Sequence, residues 1–114
     1  MEGWIKIHRK MLDWGWFKDS NTFHVFLYLL LKANFKPCEF LGKQINRGEC
    51  ATSVANIANA TGLSYQNVRS ALKHLESTNE VTSRGYSKFS VFTITNFERY
   101  QDANEETNEQ VTSN

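Results

Sequence analysis

Residues 21–33, NTFHVFLYLLLKA, are apolar almost all the way round a helical wheel, so the chain is expected to centre on one buried helix. Asp19 and Ser20 precede it as N-cap candidates. Upstream, residues 3–8 alternate, with Ile5 and Ile7 on one side and Trp4, Lys6 and His8 on the other, a weak strand or extended pattern. Residues 9–17 suggest a short helix or turn ending near Gly15. Residues 34–48 hold Pro37, Gly42, Gly48, Asn34 and Asn46, the marks of a loop or small hairpin. Residues 49–52 form a short candidate strand. Ser53 then caps a helix from 54 to about 60, residues 61–63 break it, and Ser64 caps a second helix from 65 to about 77, ended by Asn79. Residues 80–94 read as two strands joined by a turn around Gly85, and Asn96 caps a last turn over 97–100. The expected core contains Leu27, Leu30, Ile57, Val68, Leu72, Leu75 and Phe92. Trp14 is expected to pack in the core as well. No internal repeat is present.

The segment 54–72 has the spacing of a helix-turn-helix. Such a unit needs a small residue where its helices cross and a glycine in the turn, where φ is usually positive. Ala58 stands four residues before Gly62, and Ile57, Leu63, Val68 and Ala71 fall at apolar offsets. Thr61 departs, because a larger apolar residue is usual just before the glycine. The plain alternative is a helical hairpin with a glycine C-cap. A helix advances about 100° per residue, so Val68, Ala71, Leu72 and Leu75 cluster on one side of the second helix. Gln66, Arg69, Ser70 and Lys73 lie on the other. A solvated helix face has the same composition. A major groove also suits it: Arg69 to guanine, Gln66 to adenine, Lys73 and Ser70 to phosphate. DNA-reading helices of this kind contact bases from their N-terminal half. Tyr65, Gln66, Asn67 and Arg69 are therefore the candidates nearest the bases, with Ser64 capping and its free N–H groups favouring a phosphate. Arg84 and Lys88 flank Gly85 and are expected to hold backbone from a hairpin tip.

The order of extended start, buried helix, short strand, helix-turn-helix and hairpin predicts an α+β winged helix-turn-helix, a helical core with a small antiparallel sheet. The stretches GWIKIHRKMLDWGWF, FLYLLLKANF, RGECATSVANIANATGLSYQNVRSALKHL and FTITNFERYQ resemble the N-terminal domain of phage and bacterial replication initiators and replisome organisers of the DnaD-like kind. The likeness covers residues 3–101. It implies a domain that binds origin DNA or self-associates, with helicase-loading proteins engaged only through a further region that these residues do not include.

Composition narrows the class. The 114 residues are 40% hydrophobic and 13% aromatic, enough for a core without staples. The longest apolar run, residues 25–31, is far short of the roughly 20 residues a spanning helix needs, so no membrane role is expected. Cys38 and Cys50 make neither a disulfide framework nor a zinc motif, and His8, His24 and His74 stand apart. No phosphate loop, nucleophile elbow or carboxylate pair is present. These features predict a cytoplasmic protein, not an enzyme, with neither metal nor cofactor. The net charge of +1 hides an asymmetry: residues 101–114 carry −4 and residues 1–100 carry +5. The acidic stretch 102–114 is nearly devoid of apolar side chains and is expected to be a disordered tail or the start of a linker.

The leading expectation is therefore duplex DNA binding in replication initiation. A dimerising protein-interaction module with little DNA affinity, or a transcriptional regulator, are the alternatives. The +5 body is compatible with nucleic acid without demanding it, since nucleic-acid-binding domains are usually more basic, and this keeps the interaction module in play.

Overall fold

The structure is a computed structural model, and residues 3–101 are described. The acidic segment 102–114 lies outside the described residues. An extended segment leads into a 3₁₀ turn, Arg9–Asp13, and then into α1 (Ser20–Lys32). A small hairpin, β1 (Cys38–Phe40) and β2 (Lys43–Ile45), is followed by β3 (Glu49–Thr52), α2 (Val54–Thr61) and α3 (Tyr65–Ser77). β4 (Val81–Gly85) and β5 (Ser90–Ile94) come next, and residues 97–101 form a last helical turn. The fold class is α+β, with two antiparallel sheets. One is the pair β1–β2; the other has three strands in the order β3–β5–β4. No described helix is long and apolar enough to cross a membrane.

Side-chain caps fix the helix starts. Asp19, Ser53 and Ser64 each accept a hydrogen bond from the backbone N–H three residues on, at 3.0–3.1 Å. Gly62 ends α2 in the left-handed region, at φ 77°, and returns its N–H to Ala58 O. Thr61, the departure from the usual pattern, acts here as a polar clasp. Its hydroxyl donates to Ile57 O at 2.7 Å and accepts weakly from Leu63 N. Asn79, also left-handed at φ 64°, turns the chain from α3 into β4.

The core lies between the helices and one face of the three-stranded sheet. Val25, Phe26, Leu29 and Leu30 of α1 meet Ile57, Val68, Ala71, Leu72 and Leu75, with Cys50, Val81, Phe92 and Ile94 beneath them. The other face of the sheet is covered too. Ile45 of β2 packs there against Phe89 and Val91 as a second, smaller cluster. The β1–β2 hairpin is thus a lid over the side of the sheet away from the helices.

Three expectations change. α1 is not buried all round: it buries one stripe, while Leu31 is 53% exposed and Leu27 only half-buried. A helix lying on a thin domain has neighbours on one side only. The N-terminal segment is extended but pairs with no strand, and Ile7 faces water while Ile5 packs inward. The Gln101 side chain replaces a strand partner, accepting from Lys6 N at 2.9 Å and donating to Lys6 O at 3.2 Å. Finally, Gly85 is not in the turn. It pairs with Ser90, and residues 86–89 make the loop. Trp14 is half-buried: it packs on Phe26 at 4.8 Å and donates to Glu80 at 3.0 Å. Trp4 is 77% exposed.

Two glycines make a quantitative test. Both have positive φ, but a Cβ on Gly62 would meet nothing, whereas one on Gly48 would lie 2.9 Å from Phe97 Cβ. Gly62→Ala should cost only backbone strain, about 1–2 kcal/mol. Gly48→Ala adds an overpacking penalty and should cost about 3 kcal/mol or more. Urea unfolding of both variants checks the ordering; equal losses would place the last helical turn elsewhere.

Candidate nucleic-acid interface

The buried stripe of α3 decides which side chains point outward. With Val68, Ala71, Leu72 and Leu75 against the core, Tyr65, Gln66, Asn67, Arg69, Ser70 and Lys73 are all exposed, as is Ser64. Seven of the residues selected from sequence therefore share one helix and its cap. No acidic residue sits in the first turn of α3. Ser64 satisfies one N–H of that turn, and the others face outward with the positive end of the helix dipole.

The two cations assigned to the hairpin separate. Lys88 is exposed in the loop 86–89. Arg84 lies within β4, and its guanidinium is bound to groups of the protein's own sheet and loop, with 41% of the side chain still exposed. It donates to both carboxylate oxygens of Glu49, at 3.0 and 3.2 Å, and through Nε to the Tyr86 hydroxyl at 2.9 Å. Glu49 is itself buried, 6% exposed, and also accepts from Asn46 N and Thr93 Oγ1. The Arg84 hydrogen bonds hold the Glu49 carboxyl below its ordinary value of 4.5 despite the opposing effect of burial, and they raise Arg84 further still. Arg84 shapes the hairpin from within; Lys88 is the hairpin cation at the loop.

The charge balance of this face has a simple origin. No Asp or Glu occurs from Cys50 to Leu75. Four other carboxylates, Glu49 among them, bond within the protein, while Asp13, Glu39 and Glu98 are exposed. Asp19 caps α1 and lies 3.3 Å from His74, Glu80 accepts from Trp14 and Tyr100, and Glu76 accepts from Ser83. Arg69 and Lys73 thus stand within an acid-free run, and Glu76 follows in the last turn of α3. The acid-free run was a signal for this face that helical periodicity alone did not use. Cys50 is packing, not chemistry: burial pushes its thiol up to about 11.

Sequence reasoning missed the β1–β2 tip. Leu41 and Gly42 form its two-residue turn, with φ 49° and 81°, the positive pair of a type I′ turn. Phe40 and Leu41 are 43% and 64% exposed. The tip stands beside the 86–89 loop, and between them runs an open groove of about 360 Å³ lined by Leu41, Lys43, Tyr86, Ser87, Lys88 and Phe89. Two exposed apolar residues before a glycine were the available signal.

No protein-family model, curated protein or solved structure matches the chain.

The Glu49–Arg84 pair sets a testable stability profile. Arg84→Ala leaves a buried carboxylate without its cation. It should cost about 3 kcal/mol, the low end for breaking a buried pair, because 41% of the Arg84 side chain already meets water. The depressed Glu49 carboxyl contributes stability that is fully present above pH 4.5 and is lost as pH falls through its lower folded value. Chemical denaturation from pH 6 down to pH 2 should therefore show a steeper acid loss in the wild type than in Glu49→Gln.

Proposed function

We propose that residues 3–101 form a winged-helix DNA-binding domain, with α3 entering the major groove and the β4–β5 loop acting as the wing. The observation that carries this reading is the outward face of α3: Tyr65, Gln66, Asn67, Arg69, Ser70 and Lys73 exposed together, within a run from Cys50 to Leu75 that holds no acid. The topology supports it. A strand, two helices joined at a left-handed glycine and a hairpin, with the last strand in the middle of the sheet, follow in the order a winged helix requires. In this reading Ser64 and the first-turn N–H groups take a phosphate. Tyr65, Gln66, Asn67 and Arg69 stand nearest the base edges. Ser70, Lys73 and Lys88 hold backbone, and Arg84 positions the wing. The resemblance to DnaD-like replication initiators supports a role in replication initiation over one in transcription.

A second reading has its own observation. Trp4, Ile7 and Leu12 expose 77%, 49% and 67% of their surface on the N-terminal segment, which favours self-association there. These residues belong to a different segment from α3, so a dimer formed through them need not use the residues assigned to DNA.

Affinity for duplex DNA across a salt series tests the proposal. A steep fall of log K with log salt is expected, because phosphate contacts release counterions. Arg69→Ala should cost about 1–3 kcal/mol on a preferred site and relax the sequence preference. Lys88→Ala should weaken all sequences alike and lower the salt slope by about one. Unchanged affinity in Arg69→Ala/Lys73→Ala at low salt would contradict the assignment of α3.

A further inference from the structure

The tip of the β1–β2 hairpin breaks two local rules at once. Leu41 adopts φ 49°, a conformation costly for a γ-branched side chain and natural for asparagine or glycine. It also leaves 64% of its apolar surface in water. Neither feature stabilises the fold, and strain held at an exposed tip points to use of that tip.

Its surroundings indicate the occupant. Opposite Leu41, across the groove, lie Tyr86, Ser87 and Lys88 of the loop proposed as the wing. Lys43 completes one wall, with Nζ held 5.0 Å from the Tyr86 ring centroid. Phe40 packs edge-on against Phe89 at 5.1 Å and remains 43% exposed. Lys43 pairs with Phe40 in the hairpin, so both lie on the face turned toward the sheet. Glu39 pairs with Gln44 and projects from the opposite face. The groove therefore has two cations, no acid and apolar walls. That combination fits a polyanion with flat apolar faces, which is a nucleic-acid strand whose bases are unpaired.

We infer that the paired tips form a single-strand site next to the duplex site. Leu41 wedges against the terminal base pair where duplex meets single strand, and the displaced strand runs through the groove with its phosphates between Lys43 and Lys88. Inserted apolar side chains that unstack bases are a known physical device in DNA binding. The inference rests on the DNA reading above for the nature of the occupant, and it adds a strand that α3 does not touch.

The test compares three probes by fluorescence anisotropy: a blunt duplex, the same duplex with an unpaired thymidine tail, and the tail alone. A 2-aminopurine at the junction reports unstacking. Wild-type protein should prefer the tailed duplex to the blunt one by about tenfold, the scale of one base–side chain stack, and should brighten the junction base. Leu41→Asn creates the Asn-Gly pair that type I′ turns favour, so folding is not at risk. This variant should melt at a higher temperature, keep its blunt-duplex affinity and lose both the preference and the brightening. Lys43→Ala should lower the salt slope by about one on the tailed probe only. Equal wild-type affinity for blunt and tailed duplex would overturn the inference and leave the α3 assignment intact. So would a Leu41→Asn variant that keeps the preference, or one whose only change is weaker self-association. Failure of α3 shows separately, as unchanged blunt-duplex binding in Arg69→Ala/Lys73→Ala.

Discussion

A buried carboxylate organises the half of this domain that lies away from the helices. Glu49 sits at the start of β3 and cannot stay charged there without donors. Arg84 reaches it from β4, across the central strand β5, and contributes two hydrogen bonds. Thr93 of β5 and the backbone of Asn46 supply two more. One side chain thus ties all three strands together. Arg84 in turn donates to Tyr86 and reaches Gln44 O at 3.4 Å, which draws in the β4–β5 loop and the β1–β2 hairpin. The second apolar cluster, Ile45, Phe89 and Val91, closes beside this network.

That constraint explains a division of labour among the cations. An arginine whose planar fork is matched to a buried carboxylate is not available to phosphate. The charges left on the proposed DNA surface are Arg69 and Lys73, from the acid-free run 50–75, and Lys88 and Lys43 at the two tips. Internal bonding of Asp19, Glu49 and Glu80 has the same effect from the other side, drawing carboxylates toward donors within the protein. A body with modest net charge can still present a positive face where a stretch of its sequence holds no acids.

Much of this was legible in the sequence, for reasons that are local. Caps announce helix starts because Asp19, Ser53 and Ser64 satisfy backbone N–H groups within three residues, and β3 and α3 begin and end where the pattern puts them. The helix–glycine–helix spacing at 54–72 is equally short-range, which is why the outward face of α3 could be named residue by residue. What escaped depends on distant partners. Arg84 beside Gly85 looked like a turn cation, and only the pairing of Gly85 with Ser90 and the presence of Glu49 thirty-five positions away assign it inward. The burial of α1 was overstated because apolarity does not count neighbours: Leu27 packs on the core at its edge only, and Leu31 is 53% exposed. The β1–β2 hairpin fits the loop or small hairpin read at 34–48, but its exposed Phe40 and Leu41 were not singled out, because exposure depends on which distant residues cover the tip.

The central claim is that duplex DNA meets this domain along α3 and the wing. Backbone amide shifts of the labelled protein, titrated with a duplex at low salt, test it most directly. The account predicts the largest changes at residues 64–70 and 86–89, with Trp4, Ile7 and Leu12 unaffected. Shifts confined to the N-terminal segment, with residues 64–70 unmoved, would contradict it and leave α3 as a solvated face.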